Sequence, residues 1–206
     1  MSCGKNIFDN VKTAAVIVAH PDDETLWTGG TILLHPEIKW TIITLCRKSD
    51  ADRAPKFSRV MELFGANGVM ADLDDGPEQR PLVLSDIQKE ILTALPERSF
   101  DIIMTHNPKG EYTRHLRHEE VSQAVSGLFA NQKLKAEKLV FFAYEDGGKK
   151  YPPRPRKDAD ILINLPKNIS QSKKDIIIKD YGFSSDSFEA RAVSNVEAFN
   201  IQGHKK

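Results

Sequence analysis

Ala19-His20-Pro21-Asp22-Asp23-Glu24 places an imidazole and a group of carboxylates in adjacent positions, directly after the apolar run Ala14-Ala15-Val16-Ile17-Val18. A short apolar run of this kind reads as a buried strand, so these polar groups are delivered to a strand's carboxyl end. Burying so many of them is costly unless a metal neutralises some and another takes protons. The plainer reading, that Asp22 or Asp23 caps the next helix, leaves His20 without a role. A second constellation, His115-Leu116-Arg117-His118, spaces two imidazoles so that they share a helical face. Alone, such a pair is as readily a solvated helix start. Together with the first cluster it becomes a ligand source.

A catalytic zinc takes three protein ligands and keeps one position for water. His20, Asp23 and His118 supply that set, although iron or cobalt would accept the same donors. Adjacent side chains point differently, so Asp22 is placed to take a water's proton and pass it to a leaving nitrogen. His115, if protonated, is placed to stabilise an oxyanion or to donate to the leaving group, with an exposed cap histidine as its alternative. Around them, Arg53 could pair with a carboxylate or phosphate or bond sugar hydroxyls. Asp74 and Asp75 could hold hydroxyls or simply form the turn with Gly76-Pro77, and Asn107 and Glu111 carry the same two readings. Trp27 belongs in the core of its helix rather than on a sugar-stacking surface.

The elements that must position these groups alternate. Strands are expected over residues 14–19, 38–46, 68–73, 102–105, 139–144 and 161–165. Helices are expected over 25–34, from Pro55 to about Ala66, from Ser85 or Asp86 to before Pro96, and through Val121, Val125, Leu128 and Phe129. This order predicts a three-layer α/β domain with a mainly parallel sheet, whose ligand site lies beyond the strands' carboxyl ends. His20, Arg47, Asp74, Asp75 and His106 all follow strand candidates and fall on that rim. The tail is harder to read. Residues 170–180 suit a helix, yet Ile176-Ile177-Ile178 suits a strand, and 186–200 suits a last helix or a mobile segment. The reading is one domain over residues 1–206, with 181–206 as a peripheral C-terminal segment.

Bulk properties exclude several classes. Lys plus Arg and Asp plus Glu each total 29 in 206 residues, so net charge favours neither nucleic acid nor an anionic membrane. Basic residues in 47–59 and 147–157 form no readable nucleic-acid motif. No stretch approaches the roughly 20 apolar residues of a membrane span, and the first twelve residues lack a signal peptide's apolar centre. Cys3 and Cys46 form neither a disulfide nor a metal spacing. A cytoplasmic protein without membrane insertion is expected, with a homo-oligomer left open. A sugar- or nucleotide-binding protein without catalysis is the rival class, but no Gly-rich dinucleotide or Walker loop follows the first strand.

Residues 19–24, Thr28-Gly29-Gly30, Leu73-Asp74-Asp75-Gly76, Thr105-His106-Asn107-Pro108 and His115-x-x-His118 resemble the PIG-L/LmbE family of zinc-dependent N-deacetylases. The resemblance spans at least residues 14–130. It implies a Rossmann-like α/β fold and removal of acetyl groups from N-acetylglucosamine-type sugars or sugar conjugates. It also implies His20 and Asp23 as zinc ligands with His118 as the third, Asp22 as general base and His115 as oxyanion stabiliser. The family's substrate-holding arginine matches Arg53. This chain departs from the family pattern in Gly110-Glu111-Tyr112-Thr113-Arg114-His115, which carries one extra residue. Arg114 and Arg117 would add positive charge at the site's mouth and favour an anionic substrate.

Overall fold

Both faces of the central sheet are covered, which is why its strands are near-continuous apolar runs rather than alternating ones. The computed structural model describes residues 7–202 apart from Arg114. β1 (Thr13–Val18) leads through α1 (Asp23–Leu34) to β2 (Lys39–Thr44), and α2 (Arg53–Phe64) leads on to β3 (Asn67–Met70). The chain then returns through α3 (Leu84–Ala94) to β4 (Ser99–Thr105), and α4 (Leu116–Ala130) carries it to β5 (Lys135–Phe142). These five strands are parallel neighbours in the order β3-β2-β1-β4-β5.

A small ribbon of β6 (Tyr144–Glu145) and β7 (Arg154–Pro155) precedes β8 (Ile161–Asn164). α5 (Lys167–Asp175) continues as a π-helical turn over Ile176–Asp180, and the short α6 (Phe188–Ala192) leads into β9 (Val196–Ile201). β9 pairs antiparallel with both β5 and β8, completing a seven-stranded, mostly parallel sheet in an α/β fold.

Strand alternation divides the core into two layers. Ala14, Val16 and Val18 face a cluster with Trp27, Ile32, Phe57, Val60, Ile177 and Phe199. Ala15, Ile17 and Ala19 face the opposite cluster with Ile87, Ile91, Val121, Val125 and Leu128. Helices α1, α2 and α5 therefore cover one face, and α3 and α4 the other. Among the described residues, no helix is long and apolar enough to cross a membrane.

The expected strands and helices are present, with boundaries moved by a few residues. α3 begins after Val83 without a side-chain cap, so neither Ser85 nor Asp86 caps it. The tail differs more. The triple isoleucine is helical, because Ile176 and Ile177 are buried against the first core layer and that packing overrides β propensity. The expectation of a final helix or mobile segment over 186–200 holds only for the short α6, and the rest is overturned, since β9 occupies an interior position in the sheet. The part of 181–206 that forms β9 is therefore not peripheral. Glu197 disguised this strand. It lies fully buried within β9, where it accepts from Lys173 Nζ at 2.7 Å and from the backbone amides of Gly30 and Thr31 at 2.8 and 2.7 Å.

Candidate active site

The chain winds outward from β1 in two directions, to β2 on one side and to β4 on the other, which makes the β1–β4 boundary the topological switch point. Ligands of open α/β sheets bind in the crevice beyond that boundary. His20 follows β1 and His106 follows β4, and the Ala19 amide donates to His106 Nε2 at 2.9 Å, tying the two strand ends together.

The turn after β1 is strained. Asp22 has φ 119° and ψ −28°, a left-handed conformation costing on the order of 1–3 kcal/mol for a residue with a side chain. Its side chain forms no cap, which disposes of the helix-capping reading. The Asp22 amide instead donates to Glu24 Oε2 at 3.1 Å, while Glu24 Oε1 accepts from Thr25 Oγ1 and Tyr181 Oη, each at 2.6 Å. Burial, then the charge of Asp23, pushes the Asp22 carboxyl well above the usual carboxylate range, and Arg53 Nη1 at 3.4 Å offsets only part of this.

Asp23 is held from several sides. Its Oδ1 accepts from Trp27 Nε1 at 3.2 Å and its Oδ2 from the His20 amide at 2.8 Å. Trp27 is fully buried, as expected of it. Asp23 Oδ2 also lies 3.1 Å from His20 Nδ1, 3.4 Å from His118 Nε2 and 3.5 Å from His106 Nε2. Burial opposes its ionisation, but the His118 and His106 imidazoles outweigh that and hold the carboxyl well below the ordinary range.

Glu111 is the base of this arrangement. Its Oε2 lies 2.9 Å from His106 Nδ1 and 2.6 Å from His118 Nδ1, and its Oε1 accepts from the Asn107 amide at 2.8 Å. The turn that delivers it needs Gly110 at φ 71°, closed by the Gly110 amide on the Asn107 carbonyl at 2.8 Å. Burial works against its charge, yet the two imidazoles bring its pKa down to about 2. An ionised Glu111 fixes the proton of each imidazole on Nδ1. The Nε2 lone pair of His118 then faces Asp23 Oδ2, a repulsive contact unless a proton or a metal cation lies between them.

That geometry fits a metal. His115 Nδ1 and His118 Nε2 are buried without a hydrogen-bond partner, and His20 Nε2 has only Asp75 Oδ1 at 3.3 Å, a costly condition that a shared cation relieves. His20, His115 and His118 form one candidate ligand group, and Asp23, His106 and His118 another, each with its ligand atoms within 4.8 Å of one another. His106 already uses both ring nitrogens, so it serves as a support. Burial and the neighbouring His118 and His20 lower the His115 pKa to about 3, so its ring is neutral here.

His20, Asp23 and His115 line a cavity of about 270 Å³ with Asp22, Arg47, Arg53, Asp75, Tyr112, Phe188 and Glu189. The structure thus brings together His20, Asp22, Asp23, Arg53, Asp75 and His115 on its wall, with His118 behind them. Asp75 is already occupied, since Oδ2 accepts from Arg47 Nη2 at 2.6 Å while Oδ1 accepts from Gln79 Nε2 at 2.9 Å and lies 3.3 Å from His20 Nε2. Asn107 does not belong to this cavity. Its amide nitrogen donates to the Phe142 carbonyl at 3.2 Å and its oxygen accepts from the Lys109 amide at 3.0 Å, so the side chain shapes the loop. Glu111 is likewise buried beneath the imidazoles and is no sugar-binding group.

Arg117 is not at the mouth. It is fully buried, donating to the Asp74 carbonyl at 2.6 Å and the Arg80 carbonyl at 2.8 Å and pairing with Glu120. Arg114 lies outside the described residues. Sequence reasoning missed Tyr112, Phe188 and Glu189. Tyr112 stood three positions before His115 and was legible in principle. Phe188 and Glu189 arrive from the distant tail, with no local signal.

Comparison with known proteins agrees with this architecture. The chain is similar to an uncharacterized protein of Acanthamoeba polyphaga mimivirus, 24% identical over 182 residues that cover 82% of this chain and 75% of the relative. Its fold is similar to that of an N,N'-diacetylchitobiose deacetylase from Pyrococcus horikoshii, with TM-score 0.70 and 15% identity over 96% of this chain and 86% of that one. It is also similar to the 4-carboxy-2-hydroxymuconate hydratase GalB from Pseudomonas putida, with TM-score 0.66 and 14% identity over 95% of this chain and 98% of that one. Residues 15–129, more than half of the chain, match the family described as PIG-L, GlcNAc-PI de-N-acetylase, and the chain belongs to that family.

Proposed function

We propose that this protein is a metal-dependent hydrolase that removes the acetyl group from an N-acetylglucosamine-type sugar or sugar conjugate. The observation that carries this reading is a strained, half-buried carboxyl with a raised pKa, Asp22, beside the partnerless imidazole nitrogens of His115 and His118. The family match and the deacetylase among its structural neighbours support it. The hydratase neighbour shows that the fold alone does not select the reaction.

His20, Asp23 and His118 are the residues that would hold the ion. Their mixed nitrogen and oxygen donors suit zinc, and Fe²⁺ or Co²⁺ would accept the same set. When bound, such an ion polarises an amide carbonyl and lowers the pKa of water. Asp22, with its raised pKa, takes a proton from the attacking water and returns it to the leaving nitrogen. His115, on the same wall, donates its N–H to the developing oxyanion. Arg53 stands 3.4 Å from Asp22, where it can fix a sugar hydroxyl and steady the ionised base. The cavity of about 270 Å³ suits one hexosamine ring.

The test is metal analysis of protein prepared without chelator, together with acetate release from N-acetylglucosamine derivatives. Stoichiometric metal and acetate release are expected. Asp22→Asn should lower turnover about 10²–10⁴-fold while metal content stays near wild type. Ligand binding without acetate release would favour a non-catalytic sugar- or nucleotide-binding protein instead. Folded protein that takes up no divalent metal would overturn the reading.

A further inference from the structure

The central cavity holds little more than one sugar ring, so the rest of any conjugate must leave through its rim. Two grooves offer an exit, and their charges are opposite. On the side of β2 and β3, a groove of about 570 Å³ is lined by Asp50, Asp72, Asp74 and Asp75 with Arg47 as its single cation. On the other side, beyond Tyr112 and Phe188, a groove of about 550 Å³ is lined by Lys149, Lys150 and Arg191 with Asp146 as its single acid. Tyr112 and Phe188 border both this groove and the central cavity, so the groove adjoins the cavity across these two rings. Their rings meet edge to face, with centroids 5.0 Å apart.

The cationic side is built rather than incidental. Asp146 accepts from the Thr113 amide at 2.7 Å, Thr113 Oγ1 at 2.6 Å and the Gly148 amide at 3.0 Å, so its oxygens are engaged within the loop and its one charge is outnumbered by three cations. The turn it anchors runs through Gly147, Gly148 and Lys149, all with positive φ, at 59°, 73° and 69°. A Cβ on Gly147 would stand 2.5 Å from the Tyr151 ring, so that ring packs directly on the glycine backbone. Arg154 covers the same ring at 4.5 Å. The consequence is a fixed turn that presents Lys149 and Lys150, both exposed, opposite exposed Arg191 of α6. Among the described residues, no salt bridge engages Lys149, Lys150 or Arg191, and Asp186 acts on Arg191 only through space.

Resting on the deacetylase reading, we propose that this groove seats an anionic substituent of the N-acetylated sugar, a phosphate or a carboxylate, held by Lys149, Lys150 and Arg191. The acidic groove opposite repels the same group. The substrate is thereby oriented across the mouth, its neutral ring in the cavity and its charge toward the 147–151 turn. The positive charge expected from Arg117 is supplied instead by residues far from the His-x-x-His segment.

The experiment compares three substrates with the metal-loaded protein: the methyl glycoside of N-acetylglucosamine, N-acetylglucosamine 1-phosphate and a carboxymethyl glycoside. Three exposed charge contacts together should raise kcat/KM for an anionic substrate about tenfold, mostly through KM. Raising ionic strength should erase the preference. The triple variant Lys149→Ala/Lys150→Ala/Arg191→Ala should lose it too, while turnover of the methyl glycoside stays unchanged. Which anionic arm gains more identifies the substituent. Equal values for charged and neutral substrates, or an undiminished preference in the triple variant, would overturn the subsite and leave the deacetylase reading standing. Should none of the three release acetate, calorimetric binding of the same compounds decides the subsite alone. Tighter binding of an anionic compound that the triple variant loses supports it, and equal binding overturns it.

Discussion

Tyr181 reaches the turn after β1 from far along the chain, and its hydroxyl ends on Glu24, the residue that holds the Asp22 amide. A strained φ persists only when its surroundings over-determine it, and this chain of bonds does so from behind. Removing the hydroxyl in Tyr181→Phe leaves a buried Glu24 oxygen with one donor fewer, and the Asp22 carboxyl loses part of its fixed direction. We expect kcat to fall about tenfold, as suits the loss of one hydrogen bond to a charged group. KM and metal content should stay near wild type. Steady-state kinetics beside metal analysis would check this, and a change in KM or metal alone would point to general loosening. Glu111 makes a sharper case. Its Oε2 faces two imidazole N–H groups and its Oε1 a backbone amide, so every neighbour donates. Glu111→Gln puts an NH₂ against one of those donors. Metal affinity should fall about 10–100-fold, as measured by competition with a chromophoric chelator.

At the scale of elements, β9 joins the tail to the site. Glu197 on β9 accepts from the amides of Gly30 and Thr31 and from Thr31 Oγ1 at 2.6 Å, which locks α1 to the sheet. Lys173 of α5 balances its charge, and both side chains are fully buried. α1 begins with Asp23, so the position of that ligand candidate depends on this lock. Breaking one partner of a buried pair strands the other, at about 3–5 kcal/mol. Glu197→Ala should therefore lower unfolding stability by that amount in urea titrations. A loss under about 1 kcal/mol would show that Lys173 finds another partner or that water enters. α4 makes a simpler contribution, because its first turn carries His118 into the crevice while Val121, Val125 and Leu128 bury its opposite end in the second core layer.

For the molecule as a whole, the alternation of strands and helices was legible because each apolar run and each helical period repeats a local pattern that chain geometry alone enforces. The motif His20-Pro21-Asp22-Asp23 and the pair His115 and His118 were legible for a similar reason, since residue type and short spacing carry their meaning. The fully buried Glu197 gave no such signal, because its strand is apolar only once Lys173 and the amides of α1 have neutralised it. Asn107 and Arg117 had plausible chemistry in sequence, but which way a side chain turns depends on neighbours dozens of positions away. Sequence by itself determined the α/β plan, the crevice beyond β1 and β4, and the identity of the groups that cluster there. Only tertiary structure decided that Glu111 lies beneath two imidazoles, that Tyr112 and Phe188 wall the cavity, and that its two exits carry opposite charge. Those are properties of long-range packing, in which free energy depends on the groups that meet in space rather than on neighbours along the chain.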